Sequence, residues 1–168
     1  MKIVEKSYES EFEIYLNSIG SCERKNYIKN RVINEIQWYS KKSSGNQKWY
    51  KRFMIMSLIL SSAIPIVTVL SEELSTLHFK VIISVLGTGV TAISTIIALY
   101  SFKELWIQYR CNSEVLKSQL HCYFTRSGEY RDLEDDEALN KLVEECEKQI
   151  NDENNKWEVL KNKKISNK

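Results

Sequence analysis

Residues Val81–Phe102 read VIISVLGTGVTAISTIIALYSF, and no charged side chain interrupts them. At about 1.5 Å of rise per residue, a helix of this length reaches roughly 33 Å, enough to cross a hydrocarbon core. A second charge-free stretch, FMIMSLILSSAIPIVTVL, runs from Phe53 to Leu70 and reaches roughly 27 Å by the same rise. Soluble core helices seldom stay uncharged for so long, and two in succession do so more rarely still. The pair predicts a transmembrane helical hairpin. Its connection, SEELSTLHFK from Ser71 to Lys80, is too short for a domain, and Lys80 sits where its stem can reach the interface.

The average composition hides this pattern. The chain has 168 residues with a net charge of +2, so charge gives no strong pull toward nucleic acid, and no nucleic-acid partner is expected. Mean hydropathy is −0.37, yet most of the aliphatic content lies between Phe53 and Phe102, between polar flanks. Residues 1–50 contain no apolar segment resembling a leader, so the first span is expected to direct insertion.

Orientation follows from basic residues near the span ends. Lys41, Lys42, Lys48, Lys51 and Arg52 precede the first span, and Lys103, Arg110 and Lys117 follow the second. The connection offers Lys80 beside Glu72 and Glu73. Both termini are expected to be cytoplasmic, with the turn outside. Trp49, Tyr50, Tyr100 and Trp106 fall where an inner aromatic belt belongs.

The flanks carry helical stripes. Tyr8, Phe12, Tyr15, Leu16 and Ile19 recur at helical spacing before a stop at Gly20, and Ile28, Val32, Ile36 and Tyr39 form the next stripe. Ser43–Gln47, SSGNQ, is the expected break before the first span. Past the second span, Phe102, Leu105, Trp106, Tyr109, Leu116, Leu120 and Tyr123 continue one seam. The second membrane helix is therefore expected to run several turns into the cytoplasm, up to a turn at Thr125–Gly128. Acidic Asp132, Glu134, Asp135, Asp136 and Glu137 suit the start of a last helix, whose apolar positions are Leu139, Leu142, Val143, Cys146, Ile150, Trp157 and Leu160. The fold class is all-α, a two-span hairpin with a cytoplasmic helical bundle, assembled as a homo-oligomer. Its divisions are residues 1–52, 53–102 (spans 53–70 and 81–102, turn 71–80) and 103–168.

The second span keeps a polar seam. Ser84, Thr88, Thr91 and Thr95 follow i, i+4, i+7, i+11 on one face, and Gly87, Ser94 and Ala98 widen it with small residues. Such a face suits packing against the first span or a neighbouring copy. It equally suits the wall of a water-filled pore, where hydroxyls replace part of an ion's hydration. In the first span, Pro65 removes the donor for the Ser61 carbonyl. A kink there, tidied by Ser61 or Ser62, makes Pro65 a candidate hinge.

Catalytic, metal and cofactor chemistry find no footing. His78 and His121 are far apart without ligand-spaced partners, and the Leu86–Gly89 LGTG has no following lysine. Cys22, Cys111, Cys122 and Cys146 match no zinc or disulfide pattern and are expected as reduced, semi-buried apolar residues. No enzyme, cofactor or bound metal is expected.

Aromatic and charged residues recur in a particular order around the spans: Arg31, Gln37-Trp38-Tyr39 and Tyr50 before the first; Trp106 and Arg110 in FKELWIQYR after the second. SEVLKSQLHCYF follows with Glu114, Leu116, Lys117 and Tyr123, then Gly128-Glu129-Tyr130, then ENNKW at Glu153–Trp157. In this order the chain resembles the SLATT family, two-transmembrane effectors associated with SMODS and SLOG proteins in bacterial conflict systems. The resemblance covers roughly residues 27–157, and the hydroxyl seam departs from that family's plainer spans. It implies a multi-pass effector of the bacterial inner membrane that forms a pore to stop growth of an infected cell. The trigger is expected from a nucleotide-sensing partner or a small ligand at the cytoplasmic helices.

Taken together, the expectation is a homo-oligomeric pore lined by Ser84, Gly87, Thr88, Thr91 and Thr95, passing ions through a lipid bilayer. Glu104 stands at its inner mouth and Glu72 and Glu73 at its outer mouth. Arg31, Trp38, Trp106 and Arg110 are candidate cytoplasmic or ligand contacts, with helix-packing ion pairs to Glu35 or Glu114 as the simpler role for the two arginines. The other reading is a membrane-anchored module that recruits a cytoplasmic partner and conducts nothing.

Overall fold

A computed structural model of the chain describes residues 12–17, 20–73 and 77–166, with side chains described at 12–17, 20–69, 78–153 and 155. The described residues are helical throughout, joined by short turns, and contain no strand. In order they are α1 (residues 12–17), α2 (Cys22–Tyr27), a π-helical segment (Ile28–Ile33), α3 (Asn34–Glu73), α4 (Leu77–Tyr100), α5 (Phe102–Thr125), a 3-10 turn (Gly128–Tyr130) and α6 (Asp135–Ser166). They divide into two compact units, one from residues 1–41 with 109–168 and the other from 42–108.

The first unit is built from the flanking stripes. Ile28, Val32, Ile36 and Tyr39 are buried, as their spacing requires, with Phe12 and Leu16 of α1. They meet Leu116, Leu120 and Tyr123 of α5 and Ala138, Leu142 and Cys146 of α6 in one core. Ile33 also belongs to it, 1% exposed, although the i, i+4 stripe excludes it. The π-helical segment explains the difference. Its wider turn pairs residue i with i+5, which brings Ile33 beneath Ile28 while Val32 stays inward. Tyr8 and Ile19, and the side chains of Trp157 and Leu160, lie outside the described residues.

The expected turn after Thr125 is present, with an arginine where a glycine is usual. Arg126 takes a left-handed φ of 49°. The Ser127 N–H donates to the Cys122 carbonyl at 3.0 Å and the Arg126 N–H to Tyr123 at 3.4 Å, the paired bonds of a Schellman cap. The Arg126 side chain holds the strained position from outside: it pairs with Asp135, donates to the Leu133 carbonyl and lies over the Tyr123 ring. Acidic Asp135, Asp136 and Glu137 then open α6, where the helix dipole favours them.

In the second unit, two expectations about breaks are corrected. The helix does not stop at Ser43–Gln47; α3 runs unbroken from Asn34 to Glu73, through Gly45 and Pro65. The polar side chains there satisfy carbonyls instead of ending the helix. The Asn46 amide donates to the Lys42 carbonyl at 2.9 Å, and the Ser43 hydroxyl crosses to the Trp106 carbonyl at 2.9 Å. The second break is one the pattern does not foresee. The continuous seam predicts one long helix, but α4 ends at Tyr100 and α5 begins at Phe102, with Ser101 between them at φ 47°. The apolar stripe survives because both helices present it, whereas the backbone path does not. Around Pro65, Ser61 and Ser62 donate to the Leu58 and Ile59 carbonyls, both at 3.0 Å. Neither hydroxyl turns to the carbonyl freed by the proline.

The core of the first unit sets a stability test. Leu116 and Leu142 are both 0% exposed, and cutting either to alanine leaves a cavity that costs about 2–5 kcal/mol. Chemical unfolding of purified Leu116→Ala or Leu142→Ala protein, followed by circular dichroism, is expected to show that loss. A change within about 0.5 kcal/mol would place the leucine at the surface.

Candidate functional site

Two helices among the described residues are long and apolar enough to cross a membrane, and they use little of that surface within the chain: 0% of one apolar window is buried and 6% of the other. Met54, Ile55, Leu58, Ile59, Ile66 and Val69 on α3, and Val81, Ile82, Val85 and Leu99 on α4, are exposed. Isolated exposed leucines are ordinary, whereas a continuous apolar sleeve of this size marks a surface made for another apolar phase or for other copies.

The two helices do touch, along a narrow line. Ile93 is buried at 8% exposure, and a Cβ added to Gly89 would sit 3.5 Å from Leu60 Cδ1. Successive residues advance about 100° around a helix, so Ser84, Thr88, Thr91 and Thr95 share an arc of about 60°. On the same count, Ile93 lies about half a turn from the centre of that arc. The seam is therefore not the face α4 turns to α3. Ser84, Thr88, Thr91 and Thr95 are exposed, and a Cβ on Gly87 would meet nothing within 4 Å. Packing against the first span, one of the two roles open to the seam, belongs to the Gly89–Ile93 side.

Each hydroxyl of the seam is already committed as a donor. Ser84 donates to the Lys80 carbonyl at 3.0 Å, Thr88 to Ser84 at 2.8 Å, Thr91 to Gly87 at 3.0 Å, and Thr95 to Thr91 at 2.9 Å. Ser94 does the same with Val90 at 2.9 Å. Back-bonding of this kind lets hydroxyl residues sit in an apolar helix without an orphan donor. It leaves the oxygen lone pairs, and no proton, to whatever meets the seam. Lys80, Val81, Ser84, Val85 and Thr88 line a shallow open groove near the N-terminal end of α4. Glu104 is exposed in the first turn of α5; the side chains of Glu72 and Glu73 lie outside the described residues.

The contact residues expected in the flanks separate into different roles. Arg31 makes a bidentate pair with Glu147, Nε to Oε1 and Nη2 to Oε2, both at 2.8 Å. Its distance to Glu35 is longer, 3.9 Å. Arg110, mostly exposed, pairs with Glu114 at 3.1 Å. Trp38 makes T-shaped ring contacts with Tyr39 and Tyr109. In the second unit, the indole N–H of Trp106 is the one buried side-chain polar atom among the described residues with no hydrogen-bond partner.

Sequence reading missed the polar layer below the first unit's core. Glu153 is 5% exposed and Asn112 8%. The Asn112 amide donates to Glu153 Oε2 at 2.8 Å, and Gln149 donates to Asn112 Oδ1 at 3.1 Å. The missing signal is positional. Leu142, Cys146, Gln149 and Glu153 step i, i+4, i+7, i+11 along α6, so polar residues occupy apolar stripe positions. Burial is the first cause that raises the Tyr39 and Tyr27 phenols, and it pushes the Cys146 thiol up to about 12. That thiol is neutral and unreactive near pH 7. Cys22 and Cys111, expected to be semi-buried, are exposed. No cluster of three His, Cys, Asp or Glu suited to a metal occurs among the described residues.

Residues 24–138, more than half of the chain, match the family described as "Protein of unknown function (DUF4231)". The chain belongs to that family. No curated protein and no solved structure matches it. The matched region contains both apolar helices, the seam, α5 and the turn that follows, and it ends at the start of α6.

The Arg31–Glu147 pair gives a pH test. The hydrogen bond from Arg31 holds the Glu147 carboxyl below the usual carboxylate range. Its unfolded form takes up a proton at higher pH, so the stability it contributes is present near pH 7 and is lost as pH falls through that range. Glu35 works the other way, because burial raises it and protonation relieves the strain. Unfolding midpoints measured from neutral to acid pH are expected to fall less steeply in Glu147→Gln than in wild type. Parallel curves would show that the pair does not couple to folding.

Proposed function

We propose that the chain is a two-span membrane protein with both ends cytoplasmic, whose copies assemble so that their α4 helices surround an ion-conducting pore. The observation that carries this reading is the placement of the seam. Ser84, Thr88, Thr91 and Thr95 lie on the exposed side of α4, about half a turn from the side that meets α3. In a ring of hairpins with α3 outside, that side faces the axis. Gly87 keeps the wall thin there, and oxygens whose protons are already donated offer lone pairs to a passing cation. Glu104 at the inner mouth adds negative charge of the same sense.

The apolar sleeve supports lipid as the surrounding phase, and oligomers supply the remaining cover. The similarity to SLATT proteins supports a bacterial conflict effector as the setting, with a nucleotide-sensing partner or small ligand acting on the cytoplasmic helices. Within this reading Arg110, Trp38 and the Arg31 pair belong to the bundle that would receive such a signal.

The test is ion flux through liposomes holding purified protein, beside a Thr91→Leu variant of the same assembled size. Flux in wild type, reduced severalfold or altered in selectivity by the leucine, is the expected result. A Glu104→Lys variant is expected to move the reversal potential toward anions. Absence of flux from wild type and variant alike, with and without added nucleotides, would favour the non-conducting anchored module, and the seam would then be a contact between copies.

A further inference from the structure

Ser101 separates α4 from α5 with a φ of 47°, a left-handed backbone that glycine adopts freely and other residues adopt at a cost. The two neighbours make the break more than a local irregularity. Tyr100 and Phe102 stack on each other, centroids 5.4 Å apart and planes at 14°. Residues i and i+2 do not face each other on a helix, so this contact exists only in the bent form. Phe102 also stacks on Phe53 of α3 at 5.8 Å, Phe53 stacks on Trp49 at 5.7 Å, and Arg52 caps the Trp49 face at 5.5 Å. A four-ring ladder thus ties the break to the first apolar helix.

The geometry points to a hinge at Ser101, latched bent by the Tyr100–Phe102–Phe53–Trp49 stack. Its other position is a continuous helix from α4 into α5. The two positions differ by opposing preferences of similar kind: serine's dislike of left-handed backbone and the restored helical hydrogen bonds favour the straight form, and the aromatic stacking favours the bent one. Release of the latch would redirect the first turns of α5, where Glu104 stands, relative to the seam of α4. Pro65, the hinge expected from sequence, lies inside an unbroken helix. The gating role of the Ser101 hinge rests on the pore reading; the hinge itself does not.

Amide hydrogen exchange reads the hinge without reference to conduction. In the bent form the N–H groups of Phe102, Lys103 and Glu104 open a new helix and lack partners one turn back; the first bond of α5 is Leu105 N–H to the Ser101 carbonyl, at 3.1 Å. The straight helix would bond all three. In full-length protein in lipid nanodiscs, Ser101→Val, which cannot easily take the left-handed form, is expected to slow their exchange about tenfold or more. Ser101→Gly is expected to leave it fast. Phe102→Leu, which removes both stacking contacts and keeps the apolar volume, is expected to slow it as well. Exchange unchanged or faster in Ser101→Val would mean that no straight state exists and would overturn the hinge. Flux in the same variants then separates the two ideas. Opposite shifts in Ser101→Val and Ser101→Gly support gating, and equal flux in both overturns gating. Responsive exchange with no flux in any form, wild type included, would instead overturn the pore reading and leave the hinge standing.

Discussion

Apolar side chains cover two long helices that the other described residues leave largely bare, and the surrounding organisation follows from that exposure. In the proposed membrane setting, a backbone has to satisfy its own donors and acceptors, as these helices do. The same demand reaches the side chains. Every hydroxyl described on the seam returns its proton to a carbonyl one turn back, as do Ser61, Ser62 and Thr68 on α3. Polar residues are thereby admitted to an apolar sleeve without orphan donors. They retain only acceptor character toward the outside.

The flanking helices solve a more ordinary problem, and solve it with one unusual layer. Their apolar stripes meet in a single core, and beneath it a buried carboxylate, Glu153, accepts a hydrogen bond from the Asn112 amide. Replacing such a layer with apolar residues is often neutral or stabilising. A polar layer can be satisfied in only one alignment of helices, which fixes the register of α5 and α6 more sharply than interchangeable leucines can. The bidentate Arg31–Glu147 pair joins the π-helical segment to α6.

Two non-glycine residues in left-handed backbone mark the ends of α5, and they are supported differently. Arg126 is held by its own long side chain, through Asp135, the Leu133 carbonyl and the Tyr123 ring. Ser101 has no such reach; its conformation is held by its neighbours' rings. A cap fastened by its own side chain is a fixed corner. One fastened by the stacking of adjacent residues can be released by moving a single ring.

Local chemistry read along the chain was enough for the helical class, both apolar segments, the stripes centred on Ile28–Tyr39 and Leu116–Tyr123, the Thr125 turn and the hydroxyl seam. Each depends on a period, a run or a cap that a short window contains. What depended on another segment stayed out of reach. Gly45 and Ser43 read as a break because nothing local shows that Ser43 would find the Trp106 carbonyl. Ser101 read as helix because Phe102 looks like one more stripe residue until Phe53 is beside it. Glu153 and Asn112 carry no local sign of burial, because a polar side chain is buried only where a partner from a different helix satisfies it. The side of α4 that meets α3 was equally undecidable, since both the seam and the Gly89–Ile93 face are small enough for close approach. Periodicity locates a face; only the partner's position says whether that face is covered.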